Sequence, residues 1–106
     1  MEEKVKISIL LEIYGNLLTE KQYEFMDYYY NQDLSLSEIA DNNGITRQAV
    51  NTILTKCKKR LEQYEKKIKF MQKEEILKKY IKQLEGTKLT QKQKEIIYKL
   101  NEELYN

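Results

Sequence analysis

Not one proline interrupts this chain of 106 residues, and its three glycines stand at positions 15, 44 and 86. Proline and glycine are the strongest local breakers of helix, and sheet folds use them freely in their turns. Their scarcity, beside 34% charged and 41% apolar residues, predicts an all-α chain whose helices are punctuated by capping side chains instead. At this length one compact core is expected.

The caps can be read in order. Val5, Ile9 and Ile13, with Leu10 and Tyr14, form a helical stripe that Gly15 is expected to end as a left-handed C-cap. Thr19 and Gln22 make a capping box, with Leu18 and Tyr23 as its hydrophobic staple, and open a second helix to about Tyr30. Ser35 and Glu38, stapled by Leu34 and Ile39, open a short third helix that stops before Gly44. Thr46 then caps a fourth helix that meets no glycine until Gly86, with a break expected between Met71 and Glu74. Beyond it, Ile76, Leu77, Tyr80, Ile81 and Leu84 predict one inward face. After the Thr90 and Gln93 cap, Ile96, Ile97, Leu100 and Leu104 predict another, on a last helix to about Tyr105.

The fourth helix carries a second regularity. Val50, Leu54, Cys57, Leu61, Tyr64, Ile68 and Met71 alternate spacings of four and three, a heptad seam over three repeats. Such a seam could pair two copies of the chain as a homodimer. A seam this short more often packs within its own bundle, here against helices 1, 2 and 5.

Ala40, Gly44 and Val50 mark the point where two of these helices must cross. In a helix-turn-helix a small residue lets the second helix approach, a glycine takes positive φ in the turn, and a branched residue packs back. The three fill those roles, with Ile39, Ile45 and Ile53 around them. The candidate nucleic-acid-binding set on and beside the start of the fourth helix is Thr46, Arg47, Gln48, Asn51, Thr52, Thr55, Lys56 and Lys59. Arginine, glutamine and asparagine can grip base edges with two hydrogen bonds, and threonine and lysine reach phosphates. Lys58, Arg60, Lys66, Lys67 and Lys69 extend the basic run.

The charge distribution suits a polyanionic partner, and on charge alone it suits ordinary solvated helix faces equally well. Residues 1–44 hold 3 basic and 9 acidic groups, a net of −6, whereas residues 45–106 hold 16 and 8, a net of +8. Other chemistries find little support. With no histidine and a single cysteine, Cys57, the chain offers neither a Cys/His zinc set nor a Cys-His pair, so no metal, cofactor or catalytic residue is expected and no enzyme is indicated. Cys57 lies on the seam and reads as a small buried apolar residue. Tyr28, Tyr29 and Tyr30 point in three directions about 100° apart on a helix, so they read as core anchors with wet hydroxyls rather than a stacking platform. No apolar run approaches the roughly 20 residues of a membrane span, and a cytoplasmic location is expected.

The run Tyr14-Gly15-Asn16-Leu17-Leu18-Thr19-Glu20-Lys21-Gln22, followed by Tyr28-Tyr29, Leu36-Ser37-Glu38-Ile39-Ala40 and Thr46-Arg47-Gln48-Ala49-Val50, resembles the YlxM family across residues 9–70. Where that family usually continues with a tyrosine and an acidic residue, this chain has Asn51 and Thr52. The resemblance implies a sigma-factor region-4-like helix-turn-helix acting with the signal recognition particle, through its RNA or its GTPase. The competing expectation is a transcriptional regulator that lays the fourth helix in a DNA major groove. In either case residues 1–70 are expected to form the helix-turn-helix domain and residues 71–106 a helical extension packed on the same core.

Overall fold

The computed structural model describes residues 2–105, all-helical in its regular elements: α1 Glu3–Tyr14, a 3-10 turn Gly15–Leu17, α2 Glu20–Tyr30, α3 Leu36–Asn43, α4 Arg47–Ile68, α5 Phe70–Glu85 and α6 Gln91–Tyr105. Two compact units result, Met1–Met71 and Gln72–Asn106.

In the first unit α4 is the axis, and α1, α2 and α3 all pack on it. Val50, Leu54, Cys57 and Leu61 are buried, so the first four seam positions face the chain's own core. They meet Ile7, Leu10, Leu11, Phe25, Met26 and Ile39, every one nearly inaccessible to water. Past Leu61 the seam is only partly covered: Tyr64 and Met71 pack half-buried against the core, while Ile68 is 48% exposed. On α1 the buried stripe is Ile7, Leu10, Leu11 and Tyr14, rotated from the predicted one: Val5 is exposed and Ile9 and Ile13 are only half-buried. That helix is apolar on more than one side, and contact with α4 chose the phase.

The caps form as the sequence predicts. Thr19 Oγ1 accepts from Gln22 N while Gln22 Oε1 accepts from Thr19 N, and Ser35 and Glu38 exchange the same pair of bonds. Those amides hold the Glu38 carboxyl below its usual range, the backbone hydrogen bond contributing most. Gly15 departs from expectation. Its φ of −57° is right-handed, and it is needed because a Cβ there would stand 2.7 Å from the Tyr23 ring.

The break after α4 is the other departure, and its cause is tertiary. Lys69, at φ 58°, ends the helix two residues before the predicted window. A non-glycine residue there costs about 1–2 kcal/mol. The amides freed at the start of α5 find partners elsewhere: Phe70 N donates to Tyr14 Oη at 3.2 Å, and Met71 N to Glu65 Oε1 at 2.9 Å. Tyr14 Oη in turn donates to Glu65 Oε1 at 2.8 Å. Burial first, and then that carboxylate, push the Tyr14 hydroxyl above its ordinary pKa, so it remains a neutral donor at physiological pH.

In the second unit Thr90 and Gln93 form the predicted cap. Ile81 is buried at 5%, but Ile76, Leu77, Tyr80, Leu84, Ile96 and Leu100 are exposed, and Ile97 and Leu104 are half-buried.

Candidate nucleic-acid interface

The helix-turn-helix is closed by backbone rather than by side chains. Gly44 takes φ 65°, and both its amide and that of Ile45 reach Ala40 O. Asn43 Nδ2 donates to Ile39 O at 2.7 Å, holding the last turn of α3. Ala40 and Val50 are buried where the helices cross, as the spacing predicts, while Ile45 is exposed. A Cβ on Gly44 would meet nothing within 4 Å, so conformation is the whole cost of replacing it. Gly44→Ala is therefore expected to lose about 1 kcal/mol in urea denaturation and Gly44→Asn distinctly less, since asparagine tolerates left-handed backbone. Equal losses would place the strain elsewhere.

Thr46 caps α4, its Oγ1 accepting from Ala49 N at 3.0 Å. All eight predicted site residues are exposed. They do not share one face. With 100° per residue, Gln48, Thr52, Thr55 and Lys59 form a ridge opposite the buried Val50, Leu54 and Leu61. Thr52 Oγ1 donates back to Gln48 O at 3.0 Å, which fixes its hydroxyl along the helix. Arg47 and Asn51 flank the ridge on one side, lining a shallow cleft with Gln48 and Leu36. Lys56 lies on the other flank, in a groove of about 390 Å³ with Lys21, Phe25, Ile45 and Ile53.

Electrostatics separates α4 from its neighbours. The first turns of α1, α2 and α3 carry Glu3, Glu20 and Glu38, as the positive end of a helix favours. The first turn of α4 carries Arg47 and no acid, and from Arg47 to Leu61 the helix holds five basic side chains and no carboxylate. An arginine at that end is mildly unfavourable to the fold. Two members of the basic run are committed within the fold. Lys58 pairs with Glu3. Arg60 donates to Gln22 Oε1 at 3.1 Å and Tyr64 Oη at 2.9 Å, clasping α2 to α4.

Sequence reasoning missed a second cleft beside the ridge, of about 360 Å³, because its walls come from four helices. Lys4 of α1 and Tyr29 and Tyr30 of α2 meet Leu54, Asn51 and Thr55 there, with Leu36 at the side. Consecutive tyrosines gave no such signal, yet their rings pack edge to face at 4.9 Å. Cys57 is buried as predicted, and burial raises its thiol pKa. Among the described residues no group of three or more His, Cys, Asp or Glu side chains is placed to hold a metal, and no helix is long and apolar enough to cross a membrane.

Two helices crossing at a left-handed glycine, the second presenting an acid-free polar ridge, define a helix-turn-helix protein. The chain belongs to the UPF0122 family, whose description, "Putative helix-turn-helix protein, YlxM / p13 like", matches residues 1–102. A UPF0122 protein of Clostridium kluyveri is 54% identical over 72 residues, covering 68% of this chain and 65% of that relative's length. One from Clostridium botulinum is 47% identical over 81 residues, 76% of this chain and 74% of the relative. A third, from Malacoplasma penetrans, is 47% identical over 85 residues, with coverage of 79% and 78%.

Proposed function

We propose that this is a non-catalytic regulatory protein that binds nucleic acid through α4, with Arg47, Gln48 and Asn51 toward the bases and Thr52, Thr55, Lys56 and Lys59 toward phosphates. Thr46 holds the helix end that presents them. The observation that carries this reading is the absence of any carboxylate between Arg47 and Leu61 on a helix whose outward ridge is exposed. The partner proposed first is the signal recognition particle, its RNA or its GTPase, in keeping with the YlxM-like family. A transcriptional regulator reading DNA with the same helix, as a dimer, is the second reading, favoured by the helix-turn-helix geometry itself.

Anisotropy titrations against particle RNA, a random RNA of equal length and a random DNA duplex, each at several salt concentrations, separate these. Particle RNA is expected to bind more tightly than random RNA beyond a shared electrostatic background, which for a duplex falls with a slope of about 0.9 per phosphate contact. Equal binding to all three, or none, removes the particle RNA as partner and directs the same titration to the GTPase.

A further inference from the structure

The interface faces two surfaces of opposite character. On the outward ridge and its edges, Arg47, Lys56 and Lys59 hold no carboxylate among the described residues. In the cleft between α1, α2, α3 and α4 both cations are already engaged, Lys58 by Glu3 and Lys4 by Asp33 at 2.8 Å. Such a cleft has little to offer a phosphate, whose charge would compete with two carboxylates. Its lining is mixed: the Lys4 ammonium lies over the Tyr29 ring at 4.8 Å, which leaves Tyr30 as the aromatic wall, with Leu36 and Leu54 beside it and Asn51 and Thr55 supplying hydrogen-bonding groups. Leu36 and Asn51 also line the neighbouring cleft with Arg47 and Gln48, so the pocket opens directly onto the interface.

Resting on the nucleic-acid reading above, we infer that this cleft receives one unpaired nucleobase while the ridge of α4 holds the adjoining backbone. A base is flat, uncharged and edged with donors and acceptors, which matches the Tyr30 ring and two leucines beside an amide and a hydroxyl. A fully paired duplex keeps its bases stacked inside and leaves the cleft unused. The protein therefore selects structured nucleic acid with a bulged or looped nucleotide next to a stem.

The test uses the full chain and a short RNA hairpin with a single bulged 2-aminopurine, the same hairpin fully paired, and the DNA version of each. The bulged RNA is expected to bind roughly tenfold tighter than the paired one, the value of one base stacked on an aromatic ring, and its fluorescence to change on binding. Tyr30→Leu is expected to abolish that difference and Tyr30→Phe to keep it, with circular dichroism melts run on both so that a fold defect is seen. An equal gain on bulged DNA keeps the pocket and assigns it to either backbone. Equal affinity of the unmodified protein for bulged and paired hairpins, or a preference that survives in Tyr30→Leu, overturns the pocket. In the first of those cases the α4 interface still stands if binding falls with Arg47 and Gln48 replaced, whereas no binding to any hairpin removes both.

Discussion

Replacing Arg47 and Gln48 together by alanine is expected to weaken nucleic-acid binding by about 2 kcal/mol, roughly 30-fold, with the melting temperature unmoved or slightly raised. Both side chains are exposed, and neither makes a hydrogen bond or ion pair within the fold among the described residues. Exposed substitutions away from caps and networks change stability by no more than about 0.5 kcal/mol. Removing Arg47 also relieves a cation from the positive end of α4, which is where a small rise would come from. Adding Lys59→Ala should lower the salt slope on a duplex by about 0.9 and leave any base preference alone, because a phosphate contact carries no sequence information. Titration at three salt concentrations, with a thermal melt of each variant, checks all of this. Unchanged affinity in the double variant would remove the N-terminal part of α4 from the interface.

Leu61→Ala has the largest expected effect on the fold, a loss of about 3 kcal/mol. Leu61 is fully buried on the innermost line of α4, in the cluster that includes Ile7, Leu10, Met26 and Ile39. A unit of this size rarely holds more than about 3–5 kcal/mol of net stability, so the variant should be substantially unfolded near 37 °C. Urea denaturation followed by circular dichroism reads the loss directly. Ile68→Ala lies on the same predicted seam but at a half-exposed position, and should cost less than about 1 kcal/mol. If the two variants lost equal stability, the seam would continue past Leu61 into a contact with another copy of the chain.

Much of the helix-turn-helix was legible because its determinants are local. A capping box needs a hydroxyl and a carboxyl or amide three residues apart, and Thr19 with Gln22, Ser35 with Glu38 and Thr90 with Gln93 supply them in the chain itself. Gly44 was legible for the same reason, since only glycine takes φ 65° there without strain. Gly15 was misread because its role is spatial: it leaves room for Tyr23, eight residues on, which no helix-ending rule contains. The polar ridge of α4 followed from helical period, but the cleft beside it did not, as Lys4, Tyr30 and Asn51 come together only after three helices pack.

The sequence by itself determined that the chain is helical, where α2, α3, α4 and α6 begin, and which two helices cross at Gly44, because capping, backbone freedom and periodicity act within a few residues. Tertiary structure alone decided which stripe of α1 is buried, that α4 ends at Ile68, and that Lys58 and Arg60 serve the fold. Each of those depends on a partner distant in sequence: α4 against Ile7 and Leu11, Tyr14 on Phe70 N and Glu65, Glu3 on Lys58 and Gln22 on Arg60. Such contacts are chosen by the competition of whole faces for one core, and no local pattern carries that information.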